Sequence, residues 1–245
     1  MKAAALVILL FAAPASAEEN LTSGLSQDSV EITSNYAGTD IVVFGAVENP
    51  SDNAIGDVVV IVRGPDTHMT VRRKDRIAGI WINDARARLV LPSYYFVSAT
   101  RPLSDIAPRE TLNRYEIGLA NLHADTEASD GDPAPYVAAL IRTQTRAGLY
   151  RENASGVEML SRTLFRVRVP VSAAVAPGSY NVEVYLFRDG AVASAQSWPL
   201  FIDQTGFERR LFEFAHGWPL FYGVSTVLMA ILLGWGSTFF FRRRS

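Results

Sequence analysis

The chain reads as a mainly β protein of the α+β type. The expected architecture is an immunoglobulin-like β-sandwich with a helical insert, followed by a single C-terminal transmembrane helix. Three observations predict it. Short β-branched runs recur between turn signals at roughly 8–12-residue intervals, as in a sandwich. The middle of the chain switches to helical spacing. Finally, Trp218 to Phe241 is a run of 24 residues without a charged side chain, followed at once by Arg242, Arg243 and Arg244.

In order, the first element is an apolar core of 11 residues, Ala3 to Ala13, behind the positive charge of Lys2. Pro14 breaks it, and Ala15-Ser16-Ala17 offers small residues at the cleavage positions. This is the layout of a signal peptide over 1–17, too short to span a bilayer; the alternative is an uncleaved anchor. Cleavage leaves Glu18 as the first mature residue.

The exported region, 18–205, opens with strands. Val30-Glu31-Ile32 alternates. Ile41 to Val47 closes on Glu48-Asn49-Pro50, and Val58 to Val62 on Arg63-Gly64-Pro65-Asp66. Met69 to Arg73, Ile77 to Ile82, Arg86 to Leu91 and Tyr94 to Ala99 follow. A helical insert is expected over about 103–155. Pro108-Arg109-Glu110 opens one helix with Leu112, Tyr115 and Leu119 as its apolar positions. Asp132-Pro133 opens another, with Asp as cap and Pro at the first turn; Tyr136, Val137, Leu140 and Ile141 form its apolar face and Gly148 stops it. Asp125 to Asp132 between them is expected as an acidic loop. Strands return after Gly156: Thr163 to Val171, Tyr180 to Phe187 and Ala191 to Ile202, the last two joined by the tight turn Arg188-Asp189-Gly190-Ala191. Pro177-Gly178-Ser179-Tyr180 looks like a tyrosine corner; the alternative is an ordinary type II turn followed by a core tyrosine.

Phe207, Leu211 and Phe214, at i, i+4 and i+7, suit a juxtamembrane amphipathic segment over 206–217. The transmembrane helix is expected over 218–241, ~36 Å long at ~1.5 Å per residue, enough for a ~30 Å hydrocarbon core. The arginines of the 242–245 tail stop transfer and mark the cytoplasmic side. Thr226, Ala230, Gly234 and Thr238 recur every four residues, a small-residue stripe suited to helix–helix contact. The alternative is that small residues are common in membrane helices anyway.

Composition excludes several classes. Of 23 basic residues, Lys2 and the three terminal arginines lie outside the exported region, leaving 19 against 25 acidic, near −6. That balance argues against a nucleic-acid surface. Cysteine is absent, which removes thiol catalysis, thiolate metal binding and disulfides. His68, His123 and His216 lack metal-ligand spacing, and no P-loop, nucleophile elbow or dinucleotide fingerprint is present. The expected function is therefore non-catalytic, with neither cofactor nor metal.

The densest charge cluster outside the tail is Arg72, Arg73, Lys74 and Arg76. It suits an anion site, for an oxyanion or anionic headgroups, which Arg86 and Arg88 would extend. The alternative is a solvated hairpin tip with Lys74-Asp75 as its turn. Asp125, Glu127, Asp130 and Asp132 are a candidate calcium loop but lack EF-hand spacing.

Four segments carry a resemblance: residues 32–40 (ITSNYAGTD), 71–81 (VRRKDRIAGIW), 148–152 (GLYRE) and 185–190 (YLFRDG), with Phe214-Ala215-His216 before the apolar run. They resemble a family of alphaproteobacterial transmembrane proteins of unknown function. The resemblance implies a bacterial inner-membrane protein with its bulk in the periplasm and its C-terminus in the cytoplasm, and it implies no activity. It also implies, loosely, a sulfite-exporter-type permease as partner. The expected role is a sandwich that binds a partner as a permease accessory subunit, with a second membrane protein or a second copy docked on the helix. The alternative is a membrane-anchored periplasmic anion- or solute-binding module.

Overall fold

The computed structural model describes residues 20–33, 36–48, 56–77, 79–204 and 215–241; within these, the side chains at 75, 77, 82–85 and 236–241 fall outside the description. The predicted signal peptide (1–17), the juxtamembrane positions Phe207, Leu211 and Phe214, the arginine tail and the Thr238 side chain therefore lie outside the described residues.

The protein is mainly β, with thirteen described strands in three sheets. The first sheet has the order β1 (Asn20–Leu25), β3 (Thr39–Glu48), β11 (Leu164–Val171), β10 (Val157–Met159). The second runs β2 (Ser29–Ile32), β13 (Ala191–Gln204), β12 (Gly178–Arg188), β4 (Asp57–Arg63), β7 (Tyr95–Ala99), β9 (Tyr150–Asn153). The third joins β5 (Asp66–Ile77), β6 (Ile80–Pro92) and β8 (Asp125–Ser129).

The second sheet is the middle layer. Val58, Val60 and Val62 of β4 meet Ile41, Val43, Phe165 and Val167 of the first sheet in one core. Val59 and Ile61 point the other way, into a second core with Leu89 and Leu91 of β6 and with the helices. Those helices are α1 (Leu103–Ile106), α2 (Arg109–Arg114) and α3 (Ala134–Arg146), which contribute Leu103, Ile106, Leu112, Tyr136 and Leu140. A strand covered on both faces has no polar side to show, which is why Val58–Val62 is an unbroken apolar run. Each of these residues is at most 1% exposed.

Several boundaries differ from expectation. The segment 103–155 is not purely helical: it contributes β8 to the third sheet and β9, parallel to β7, to the second. The expected acidic loop thus holds a strand, because backbone pairing with β6 and the contacts of Glu127 with His68 and Arg88 outweigh its weak β propensity. The expected turn at Lys74-Asp75 is absent; the β5–β6 ladder continues to Ile77↔Ile80, with a register shift between Arg73 and Lys74. Asp132 does cap α3, its Oδ1 accepting the Ala134 N–H at 3.0 Å. The hairpin turn after β12 sits at Asp189 and Gly190, both with positive φ.

Tyrosines tie the layers together. The Tyr180 hydroxyl donates to Ala176 O at 2.6 Å, four residues upstream, which is the tyrosine-corner bond. Tyr94 reaches from the middle layer to Pro170 O of β11 at 2.7 Å, and Tyr150 donates to Pro92 O at 2.6 Å.

The last helix, α4 (Pro219–Phe241), has 23 residues. Its side chains are described as far as Trp235, and among the described residues no helix is long and apolar enough to cross a membrane.

Burial pushes the phenols of Tyr94, Tyr95, Tyr150 and Tyr185 well above their ordinary value. A phenol whose folded pKa is raised contributes stability that is intact below its unfolded pKa, about 10, and lost as pH rises toward the folded value. Alkaline titration followed at 295 nm is therefore expected to show part of the nine tyrosines silent at pH values where free tyrosine ionises. Urea should release them.

Candidate functional site

Strands β4 to β7 are one continuous antiparallel ribbon. Its register keeps the same partner sum from Val59↔Ala99 through Arg63↔Tyr95 and Asp66↔Pro92 to Arg73↔Ala85. Between the two named ladders, Gly64 N donates to Tyr94 O and Ser93 N to Pro65 O, each at 2.8 Å. The ribbon changes sheet here, and Gly64 permits it: a Cβ would stand 2.6 Å from Ser93 Oγ and 2.9 Å from the Tyr180 ring. Beyond this point the proximal part packs inward through Met69, Val71, Ala87, Leu89 and Leu91. Past Val71 and Ala87, no described residue of the ribbon belongs to either core. The distal part, 72–77 with 80–86, is an arm about 20 Å long at ~3.3 Å per residue. Near its tip Ile80 and Trp81 are 67% and 66% exposed.

The outer face at the base of the arm is an arginine site. Arg72 pairs directly with Arg86, and Thr70 with Arg88. These four side chains, with Ala128, Ser129 and Asp130, line a cavity of about 380 Å³. Like charges set directly opposite across two strands repel, so this pairing is destabilising unless an anion lies between them. Carboxylates relieve it only in part. Glu127 stands 3.8 Å from Arg88 and 2.8 Å from His68 Nδ1, and Asp130 Oδ2 accepts the backbone N–H of Arg86 at 2.9 Å. Ser129 Oγ is buried without a hydrogen bond among the described residues. Of the four residues the sequence singled out, Arg72 lines this cavity; Arg73, Lys74 and Arg76 continue along the arm, all exposed. The Arg76 Nε–H reaches across the tip to Gly79 O at 3.3 Å.

Sequence reasoning missed a second cluster, centred on Arg63 at the bend. Arg63 forms an ion pair with Glu116, and its Nη2 donates to the carbonyls of Tyr115 and Glu116, both at 3.0 Å. Its guanidinium lies 5.6 Å from the centre of the Tyr95 ring. The Tyr95 hydroxyl donates to Glu116 O and accepts from Gly118 N, both at 2.9 Å. These bonds hold Glu116 at φ 52°, a left-handed conformation that costs a non-glycine residue energy. Burial alone would lower the Arg63 pKa, but the hydrogen bond to Glu116 and the nearby Tyr95 and Glu183 outweigh it, and the cation is secured. Arg63, Asp66, Glu116 and His123 line a cavity of about 530 Å³ beside the bend, with His123 Nδ1 3.3 Å from Glu116. The available signal was an arginine closing the apolar run Val58–Val62.

On α4, Thr226, Ala230 and Gly234 are exposed, as are Leu220, Leu232, Leu233 and Trp235. Thr226 Oγ1 donates to Tyr222 O at 2.8 Å, turning its hydroxyl back onto its own helix. Replacing Arg63 by Met removes its ion pair with Glu116 and two charge-assisted bonds to backbone carbonyls; at ~1.5–3 kcal/mol for each such bond we expect a loss of ~3 kcal/mol or more in thermal unfolding of the full chain in detergent.

No curated protein and no solved structure matches this chain. A family model described as "Putative transmembrane protein (Alph_Pro_TM)" matches residues 20–243, nearly the whole length. The chain belongs to that family, whose function is unknown.

Proposed function

We propose that the protein is a non-catalytic docking module held at the bacterial inner membrane by α4, with its β body on the periplasmic side. The observation that carries this reading is the ribbon. Its proximal part is built into the fold, while its distal part presents Ile80, Trp81 and a row of cations to solvent. A fold gains nothing in stability from two exposed apolar side chains on an isolated two-stranded arm. Family membership and the uncharged run Trp218–Phe241, ~35 Å of helix from Pro219 on, support the anchor. The three arginines after it support a cytoplasmic C-terminus. Thr226, Ala230, Gly234 and Thr238 give α4 a small-residue face for a neighbouring helix, of a second copy or of another membrane protein such as a permease. The Tyr180 corner supports an immunoglobulin-like reading of the two facing sheets.

Replacing residues 72–86 by Asn-Gly joins Val71 to Ala87 through a two-residue turn and removes the arm. We expect the shortened chain to keep its thermal midpoint within a few degrees, and the intact chain carrying a photocrosslinker at position 81 to form crosslinks in native membranes. An intact chain that forms no crosslink from position 81 or from α4 would defeat the docking role.

A second reading, recognition of a small oxyanion, is favoured by the opposed Arg72 and Arg86 over their cavity. Phosphate or sulfate should then raise the thermal midpoint where chloride of equal ionic strength does not; at 100 times Kd the stabilisation is about 2.7 kcal/mol. Arg86→Gln is expected to abolish that difference.

A further inference from the structure

We infer that the distal arm docks on the surface of an anionic bilayer, with Ile80 and Trp81 seated at the headgroup level. This rests on the docking role proposed above and names the surface that the arm meets.

Charge segregation is the first argument. Arg72 to Arg88 contains six basic and two acidic residues, +4. The remainder of 18–217 then has 13 basic and 23 acidic residues, −10. A strongly acidic body thus carries one compact basic projection. An anionic membrane repels the body and attracts the projection. The arm's ~20 Å length is about two Debye lengths at 0.1 M salt, so the tip can reach the lipid while the body's repulsion is screened.

The tip's composition is the second argument. Trp81 joins an apolar ring to an indole N–H, the combination that settles at a membrane–water interface. Ile80 beside it supplies apolar area, and the exposed Lys74 and Arg76 stand where headgroup phosphates would lie. An acidic protein surface would satisfy the cations but would leave the tryptophan ring in water unless it also carried an apolar pocket.

Topology is the third. Arg63 pairs with Asn181, Asn181 with Pro199, and Gly178 with Ile202, so the bend that begins the ribbon's outward half lies at the end of the middle sheet where β13 finishes. Pro65 packs there against Gly178, at whose position a Cβ would come within 2.9 Å of the ring. The bend at the root of the ribbon therefore lies at the end of the middle sheet where β13 finishes.

The chain has no cysteine, so Ile80→Cys provides a single labelling site in the full-length protein. An environment-sensitive fluorophore there would be read in nanodiscs of phosphatidylcholine alone or mixed with phosphatidylglycerol, with shallow doxyl-lipid quenchers. The expected result is quenching in the phosphatidylglycerol discs and little in phosphatidylcholine. Ala191→Cys, at the exposed start of β13 beside the β12–β13 turn, should remain unquenched in both. Neutralising Lys74 and Arg76 with glutamine should lower the docked ratio on the order of 25-fold, about fivefold per cation. A label at position 80 that stays unquenched in phosphatidylglycerol, or is quenched equally in both lipids, overturns the inference. Crosslinking of position 81 to a protein without lipid quenching also overturns it, and in that case the docking role stands with a protein as its partner.

Discussion

Burial of β4 and β7 on both faces is the constraint from which the rest of the structure follows. Val58, Val60 and Val62 fill one core while Val59 and Ile61 fill the other, and Tyr94 and Phe96 are divided from Tyr95 and Val97 in the same way. Each fully buried valine or isoleucine is worth ~1.5–3 kcal/mol. A two-faced strand pair needs a cover on each side. The first sheet supplies one, and the helices with the proximal ribbon supply the other. The ribbon is thus partly wall and partly limb: its inner section shields Val59 and Ile61, and the distal arm extends past that duty.

The bend between those sections is reinforced electrostatically. Arg63 sits at the last rung of β4 and binds the carbonyls of Tyr115 and Glu116, fastening the end of the strand to the segment after α2. Tyr95, its cross-strand partner, binds the same segment through its hydroxyl. Two adjacent residues of one ladder thereby determine where the second core ends. The unfavourable backbone of Glu116 is sustained by this over-determination, with the carboxylate, both carbonyls and the phenol all engaged.

Much of this was legible in the sequence. Period-two alternation identified β12, the hairpin signal after it identified β13 as the return strand, and the Asp189-Gly190 turn between them follows from glycine's tolerance of positive φ. The Pro-Gly-x-Tyr phrase correctly suggested the corner at Tyr180. The β5–β6 arm was read as separate short strands because Lys74-Asp75 resembles a turn; ladder continuity is a long-range property that local turn chemistry does not encode. β8 was missed for a related reason, since Asp125 to Ser129 is a strand only through its pairing with β6 and its charge match to His68 and Arg88. The basic cluster was visible as a run and its extension by Arg86 and Arg88 was expected, but the pairing that sets Arg72 directly opposite Arg86 was not. Arg86 and Arg88 join Arg72 because of register, and Arg63 with Glu116 come together across 53 positions. Such meetings depend on topology, which a single sequence specifies only weakly.

The ladder around β13 has a mechanical consequence. This strand of 14 residues lies between β12, antiparallel, and β2, parallel, and its far end, Gln204, is the last described residue before 215–241. Ser23 of β1 also grips it, through Gln196 and Trp198. Tension transmitted from a tethering helix would pull along the strand's own axis. Its hydrogen bonds would then be loaded side by side, in shear, instead of peeling one after another. If α4 tethers the body as proposed, a sheet loaded this way would resist traction at its C-terminal end better than the same sheet pulled open from an edge.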